Sequence, residues 1–208
     1  MTKERMDFIK SLALEAGRLT LEGYGKCDQM PKDNEAGVYD IATVYDLRTE
    51  ELVKSSILKA FNEPVLGEEE GLIGDRDTAQ HKLWIVDPID GTRPLANGFL
   101  NSIATVAIAP RDTMYNPGPF VYMDKIAVGP QAVGKINIEA PLEENLHIIA
   151  ESEGKHIKDV TVIILQRPRH DELIRRVREI GARIRLIPDG DVAGALMTAW
   201  PNSGIAIS

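Results

Sequence analysis

Carboxylates at the ends of apolar runs are where this sequence offers chemistry. In Trp84-Ile85-Val86-Asp87-Pro88-Ile89-Asp90-Gly91-Thr92 an apolar segment ends in one Asp, and a second follows closely. Pro88 fixes the backbone direction and Gly91 permits close approach, so the spacing predicts a tight turn on which Asp87 and Asp90 converge. Upstream, Gly67-Glu68-Glu69-Glu70-Gly71 sets an acidic triplet directly after another short apolar run. Two or three carboxylates brought together need a compensating positive charge, which a hard, oxygen-preferring divalent cation such as Mg²⁺ supplies. For Glu68–Glu70 alone, a solvated acidic loop is the plainer reading. The Asp-Pro-Ile-Asp-Gly-Thr run is more specific, because a turn needing only Pro and Gly would not require two Asp and a Thr hydroxyl.

The elements that must position these groups follow from periodicity. Ile9, Leu12, Ala13, Ala16 and Leu19 recur at helical spacing over 5–22, and Gly23 and Gly25 end the pattern. A second helix fits Leu47–Phe61, with Val53, Ile57, Ala60 and Phe61 inward and Asp46 near its start, where a carboxylate accepts backbone N–H groups. Cys27–Gly37 and Pro110–Phe120 have loop composition. Pro64–Leu66, Leu83–Val86, Ser102–Ala109 and Lys125–Val128 are strand-length apolar runs, so the first half reads as α+β, helices on a sheet. Beyond about residue 158 the pattern alternates: strand Val160–Leu165, helix His170–Ile180, strand Ala182–Ile187, helix Val192–Ala199, strand Gly204–Ile207. Such alternation builds a parallel sheet with crossover helices. The expected class is α/β, with an α+β metal-binding domain at 1–130 and an α/β substrate-binding subdomain at 131–208.

The 208 residues carry 24 Lys+Arg against 32 Asp+Glu, a formal charge of −8. That balance argues against a nucleic-acid partner, whose affinity comes from Lys and Arg neutralising phosphates. A single cysteine, Cys27, excludes an internal disulfide framework and a multi-cysteine zinc site. No apolar run approaches the ~20 residues that span a bilayer, and the N-terminus does not read as a signal peptide. A soluble, cytoplasmic enzyme is the expectation.

The Trp84–Thr92 run, preceded by Gly67-Glu68-Glu69 and by Asp46 in Ala42-Thr43-Val44-Tyr45-Asp46, resembles the inositol monophosphatase family of Mg²⁺-dependent, lithium-sensitive phosphatases. From Thr92 onward the sequence is similar to the bacterial class II fructose-1,6-bisphosphatases of the same superfamily. The motifs are Asp90-Gly91-Thr92-Arg93-Pro94-Leu95-Ala96-Asn97-Gly98, Tyr122-Met123-Asp124-Lys125 with Val128-Gly129-Pro130, Arg167-Pro168-Arg169-His170-Asp171, and Ile187-Pro188-Asp189-Gly190-Asp191-Val192-Ala193. The chain thus resembles a composite of two relatives joined at the motif they share, as a natural intermediate or a chimera would be. Both families continue past the position of Ser208, so the resemblance implies a layered αβαβ sugar-phosphatase fold truncated at the C-terminus.

By resemblance, Glu68, Asp87, the Ile89 carbonyl, Asp90 and Asp191 would hold two or more Mg²⁺ ions, with Mn²⁺ as a substitute and Li⁺ as an inhibitor. Thr92 would hydrogen-bond the nucleophilic water, and Glu68 or Asp46 would deprotonate it. Asp90 follows the inositol phosphatases, since the bisphosphatases have Glu there. Gly91, Thr92, Tyr122, Arg167, Arg169, Asp189 and Asp191 would contact the substrate. Physically, two guanidinium groups flanking Pro168 at a strand end make a directional anion clamp, with plain surface charge as the alternative. Asp191 also reads as the N-cap of the helix after it, and His170 as an ordinary helix-start residue. The implied reaction is metal-assisted hydrolysis of a phosphomonoester. Fructose 1,6-bisphosphate, giving fructose 6-phosphate, is the leading substrate. The alternatives are an inositol-1-phosphatase-type activity or a folded scaffold with little or no turnover. The partner is a small-molecule sugar phosphate, with no nucleic acid or membrane, and a homo-oligomer (dimer or tetramer) is expected.

Overall fold

A computed structural model describes residues 2–26, 28–32, 40–75, 82–110, 113 and 123–208. They fall into two units, Met1–Pro119 and Phe120–Ser208. In the first, helix α1 (Lys3–Glu22) starts at Thr2, whose hydroxyl accepts the Arg5 N–H. Strands β1 (Met30–Lys32) and β2 (Asp40–Ala42) pair antiparallel, and β2 leads into helix α2 (Val44–Phe61). A four-stranded sheet follows, built from β3 (Val65–Gly67), β4 (Gly71–Ile73), β5 (Lys82–Asp90) and β6 (Ile103–Pro110), with the short helix α3 (Thr92–Ala96) between the last two. Its order is β4-β3-β5-β6, with β3 and β5 parallel and the other pairs antiparallel.

Trp84 and Val86, alternate residues of β5, pack with Val65 against Leu12 and Ala16 of α1 and Val53 and Ile57 of α2. Each large apolar side chain removed from water there contributes roughly 1.5–3 kcal/mol. At the edge of this core the Arg5 guanidinium donates two hydrogen bonds to Glu63, at 2.6 and 2.7 Å, and lies 4.4 Å from the Phe61 ring centroid. Glu63 also accepts the Trp84 indole N–H at 2.7 Å, and Phe61 stacks on Trp84. One carboxylate therefore ties the start of α1 to the buried centre of β5.

In the second unit β7 (Thr161–Leu165) and β8 (Arg183–Ile187) are parallel, joined through helix α5 (Asp171–Ile180); helix α4 (Leu142–Ser152) precedes them and α6 (Asp191–Met197) follows. Val162 and Ile164 pack with Leu146, Ile149, Ile174 and Val177, while Ile163 packs with Ile187, Met197 and Ile205. Apolar partners on both faces explain the unbroken apolar run of β7.

The α/β class is as expected, and several boundaries are corrected. Helix α2 begins at Val44 rather than Leu47, because Thr43 caps it. Strand β5 runs on through Asp90, so the turn comes after the second Asp rather than between the two. Lys125–Val128 and Gly204–Ile207 are not strands but bridge at Val128 and Ile207. There Ala127 and Ser208 exchange backbone hydrogen bonds of 2.8 and 2.9 Å, which draws residues 127–129 into the second unit and sets the division at 119/120 rather than 130/131. Helix α4 went unread, although Leu146, Ile149 and Ala150 mark its buried face. Most of the expected 110–120 loop lies outside the described residues. No described helix is long and apolar enough to cross a membrane.

Replacing Glu63 by Ala strips the Trp84 N–H of its acceptor and Arg5 of its partner. A loss of about 1–3 kcal/mol is expected, read as a lower urea midpoint at unchanged slope.

Candidate active site

Thr43, Val44 and Tyr45 turn the chain from β2 into α2, and the turn closes on Asp46. The Asp46 Oδ2 atom accepts the Thr43 backbone N–H at 2.7 Å and the Thr43 hydroxyl at 2.6 Å, and the Thr43 hydroxyl oxygen accepts the Tyr45 N–H. This is a capping box with Asp at the third helical position. The other oxygen, Oδ1, accepts the Thr92 hydroxyl at 2.9 Å. Asp46 is fully buried, so its charge is met by donors on both oxygens rather than by solvent. The Thr92 oxygen also lies 3.2 Å from the Ile89 carbonyl. A hydroxyl has one proton, and the charged acceptor at the shorter distance takes it, which leaves the Thr92 lone pairs to accept from another donor. Asp46 is placed to act through Thr92.

The sheet register brings up the next two carboxylates. Gly67 is level with Val86 in the parallel β3/β5 pair, so Glu68 emerges beside Asp87. Between Asp87 and Asp90 the β5/β6 register shifts: Asp87 pairs with Thr105 and Asp90 with Ile103. The extra residue is a β-bulge, which re-aims side chains that would otherwise alternate across the sheet. Gly91 then turns the chain at φ 91°, where a side chain would be strained, and Ser102 secures the turn by donating to the Gly91 carbonyl at 2.7 Å.

Burial, then the charges of Glu68 and Asp90, push the Asp87 carboxyl up to about 8. Its Oδ1 atom is buried without a hydrogen-bond partner. Among the described residues, however, no three His, Cys, Asp or Glu side chains are drawn into one ready ligand set. An all-oxygen donor set with an orphaned, charge-crowded carboxylate oxygen still fits a hard divalent cation, which Glu68, Asp87, Asp90 and the Ile89 carbonyl would hold.

Two residues of this region lie outside the sequence motifs: Glu50 and Lys54. Glu50 and Lys54 are buried in α2, with Lys54 Nζ 2.5 Å from Glu50 Oε1, and Glu50 accepts the backbone N–H groups of Glu69 and Glu70 at 2.7 and 2.8 Å. The available signal was that Glu50, Val53, Lys54 and Ile57 form one helical stripe, with two charges inside an apolar face.

The remaining expected residues belong to the second unit. Arg167, at the carboxyl end of β7, reaches Asp189, after β8, in a long contact of 3.5 Å. Its charge is thus partly answered by Asp189. Arg169 is exposed on the turn before α5, and His170 Nδ1 lies 2.8 Å from the Leu165 carbonyl, a structural contact. The α6 N-cap is Gly190, not Asp191; Asp191 is the first helical residue and pairs with Lys125 at 3.1 Å. Tyr122 lies outside the described residues.

Two family models match the chain. The one described as "Inositol monophosphatase family" matches residues 2–114, and the one described as "Bacterial fructose-1,6-bisphosphatase, glpX-encoded" matches 60–208. The chain belongs to the superfamily these two families share. The models overlap on 60–114, the stretch holding Glu68, Asp87, Asp90 and Thr92. The chain is 46% identical over 120 residues to D-fructose 1,6-bisphosphatase class 2/sedoheptulose 1,7-bisphosphatase of Synechococcus sp. (strain JA-2-3B'a(2-13)), covering 58% of this chain and 34% of that protein. It is 42% identical over 122 residues to fructose-1,6-bisphosphatase 1 class 2 of Escherichia coli (strain K12), covering 59% and 36%. These alignments span about a third of the length of the curated relatives. Among solved structures, the Thermotoga maritima IMPase superposes with a TM-score of 0.61 at 19% identity, covering 94% of this chain and 73% of that one, which supports the fold.

With its carboxyl at about 8 against the ordinary value near ~4, folded Asp87 holds a proton that the unfolded chain has released. Stability without divalent cation therefore falls as pH rises from about 4 to about 8. Asp87→Asn is expected to flatten that slope and raise the melting temperature at pH 8, as thermal scans at several pH values will test.

Proposed function

We propose that the chain is a Mg²⁺-dependent phosphomonoesterase of the cytoplasm acting on a sugar phosphate, with fructose 1,6-bisphosphate as substrate. The observation that carries the reading is the buried Asp46–Thr92 contact beside the Glu68, Asp87 and Asp90 carboxylates. Bound there, Mg²⁺ would lower the pKa of a water and neutralise charge on the phosphoryl group. Thr92, its proton committed to Asp46, accepts from that water and fixes its orientation, while Glu68, more exposed than Asp46, takes its proton. Gly91 is assigned to contact the reacting phosphate through its backbone. Arg167, Arg169, Asp189 and Asp191 sit at or just beyond the carboxyl ends of parallel strands, where ligands of such sheets gather. They are assigned to recognition of the sugar and its second phosphate, together with Tyr122. The bisphosphatase names of relatives 42–46% identical to this chain support the substrate.

A second reading, hydrolysis of an inositol monophosphate, is favoured by the inositol monophosphatase match over 2–114.

Phosphate release from both compounds, with Mg²⁺ and with chelator, tests the proposal. Release from fructose 1,6-bisphosphate that needs Mg²⁺ supports it, faster release from inositol 1-phosphate moves the assignment to the second reading, and none from either overturns both. Within this assay Arg169→Ala is expected to raise KM for the bisphosphate roughly ten- to hundredfold, the scale of a lost charge-assisted hydrogen bond, with little change for the monophosphate.

A further inference from the structure

We infer that Glu50, held by Lys54, is a positioning residue that templates the Gly67–Glu70 turn and thereby sets the divalent-cation affinity of the carboxylate site. The inference rests on the metal-dependent reading above. Glu50 and Lys54 are 0% and 2% exposed, so two full charges have been placed inside the packing of α2 against the sheet. Desolvation of both groups makes such a pair a poor source of net stability, since well-packed neutral residues of similar volume serve as well or better. What the pair supplies is geometry.

Both oxygens of Glu50 are used on one target. Oε2 accepts the Glu69 N–H at 2.7 Å and Oε1 the Glu70 N–H at 2.8 Å, fixing two successive peptide planes directly after Glu68. Lys54 lies 2.5 Å from Oε1, and its ammonium is also 3.6 Å from the Glu70 carboxylate, so it reaches the same turn. Gly67 completes the fit: a Cβ there would fall 2.2 Å from Glu50 Oε1 and 2.5 Å from Lys54 Cε, so any side chain would push the buried pair out of its present place.

The charge arithmetic matters as much as the contacts. Glu68 already raises the pKa of Asp87 together with Asp90. A bare Glu50 carboxylate close behind would add to that repulsion. With Lys54 against it the pair is neutral as seen from the site, and it grips the turn without adding a net charge. Groups that orient metal ligands from outside the coordination sphere typically change affinity by 10–100-fold when removed.

The single change Glu50→Gln would leave the buried Lys54 charge with only its longer contact to Glu70 and confound the result with misfolding. The informative variant is the double substitution Glu50→Gln/Lys54→Met, which removes both charges and keeps the volume. Two quantities are read on the full chain: the melting temperature with chelator, and the MgCl₂ concentration at half-maximal thermal stabilisation. Amide hydrogen exchange at Glu69 and Glu70 is followed alongside. The expected result is a chelator melting temperature at or above that of the parent, with the MgCl₂ half-point raised at least tenfold and both amides exchanging at least tenfold faster. An unchanged half-point in a folded double variant overturns the inference while leaving the phosphatase reading intact. A parent chain that MgCl₂ does not stabilise at all overturns the metal-dependent reading, and this inference falls with it.

Discussion

A buried carboxylate must be met by donors on every side, and in this protein that demand is met at Asp46. One of its oxygens accepts the Thr43 backbone N–H and hydroxyl, which starts α2, and the other accepts the hydroxyl of Thr92, just beyond the end of β5. A helix start and a strand end 46 residues apart in sequence are thereby held together by one carboxylate. Thr92 in turn has its rotamer and its proton assigned. The other features of the first unit, among them the bulge in β5, the Gly91 turn and the Ser102 contact behind it, keep Thr92 where that bond can form.

Around this anchor the protein handles three kinds of acidic group differently. Asp46 and Glu50 are fully buried and matched, the first by hydrogen-bond donors and the second by a lysine and two amides. Glu63 at the outer edge is matched by Arg5 and the Trp84 indole. Asp87 alone among these has a buried oxygen without a hydrogen-bond partner and a pKa driven up by burial and by its acidic neighbours. Folding tolerates such a group only where something else is gained. The contrast between matched carboxylates in the frame and a strained one at the strand end separates scaffold from site on physical grounds.

The overlap of the two family matches on 60–114 has a structural counterpart. That stretch holds β3 to β6, the sheet whose register sets Glu68 beside Asp87. On either side of it in sequence lie helices α1 and α2 and the parallel strands β7 and β8, with Arg167 and Asp189 at the carboxyl ends of those strands.

The sequence by itself determined the elements with strong local signals. The Leu12–Ala16 stripe of α1, the continuous apolar run of β7 and the Asp-Pro-Ile-Asp-Gly-Thr motif are each legible because period and composition act over a few residues. Helix α4, with Leu146 and Ile149 inward, carried the same kind of signal and could have been read. Tertiary structure alone decided where charge is buried. That Glu50 and Lys54 turn inward depends on the backbone of Glu69 and Glu70, distant in sequence, arriving as donors. That Asp46 serves Thr92 depends on β5 continuing, past its bulge, through Asp90 before it turns. That Arg167 is answered by Asp189 depends on two strand ends lying side by side. Local propensity cannot register these pairings, because the energy that orders a charged side chain comes from partners that only the folded chain brings within hydrogen-bond distance.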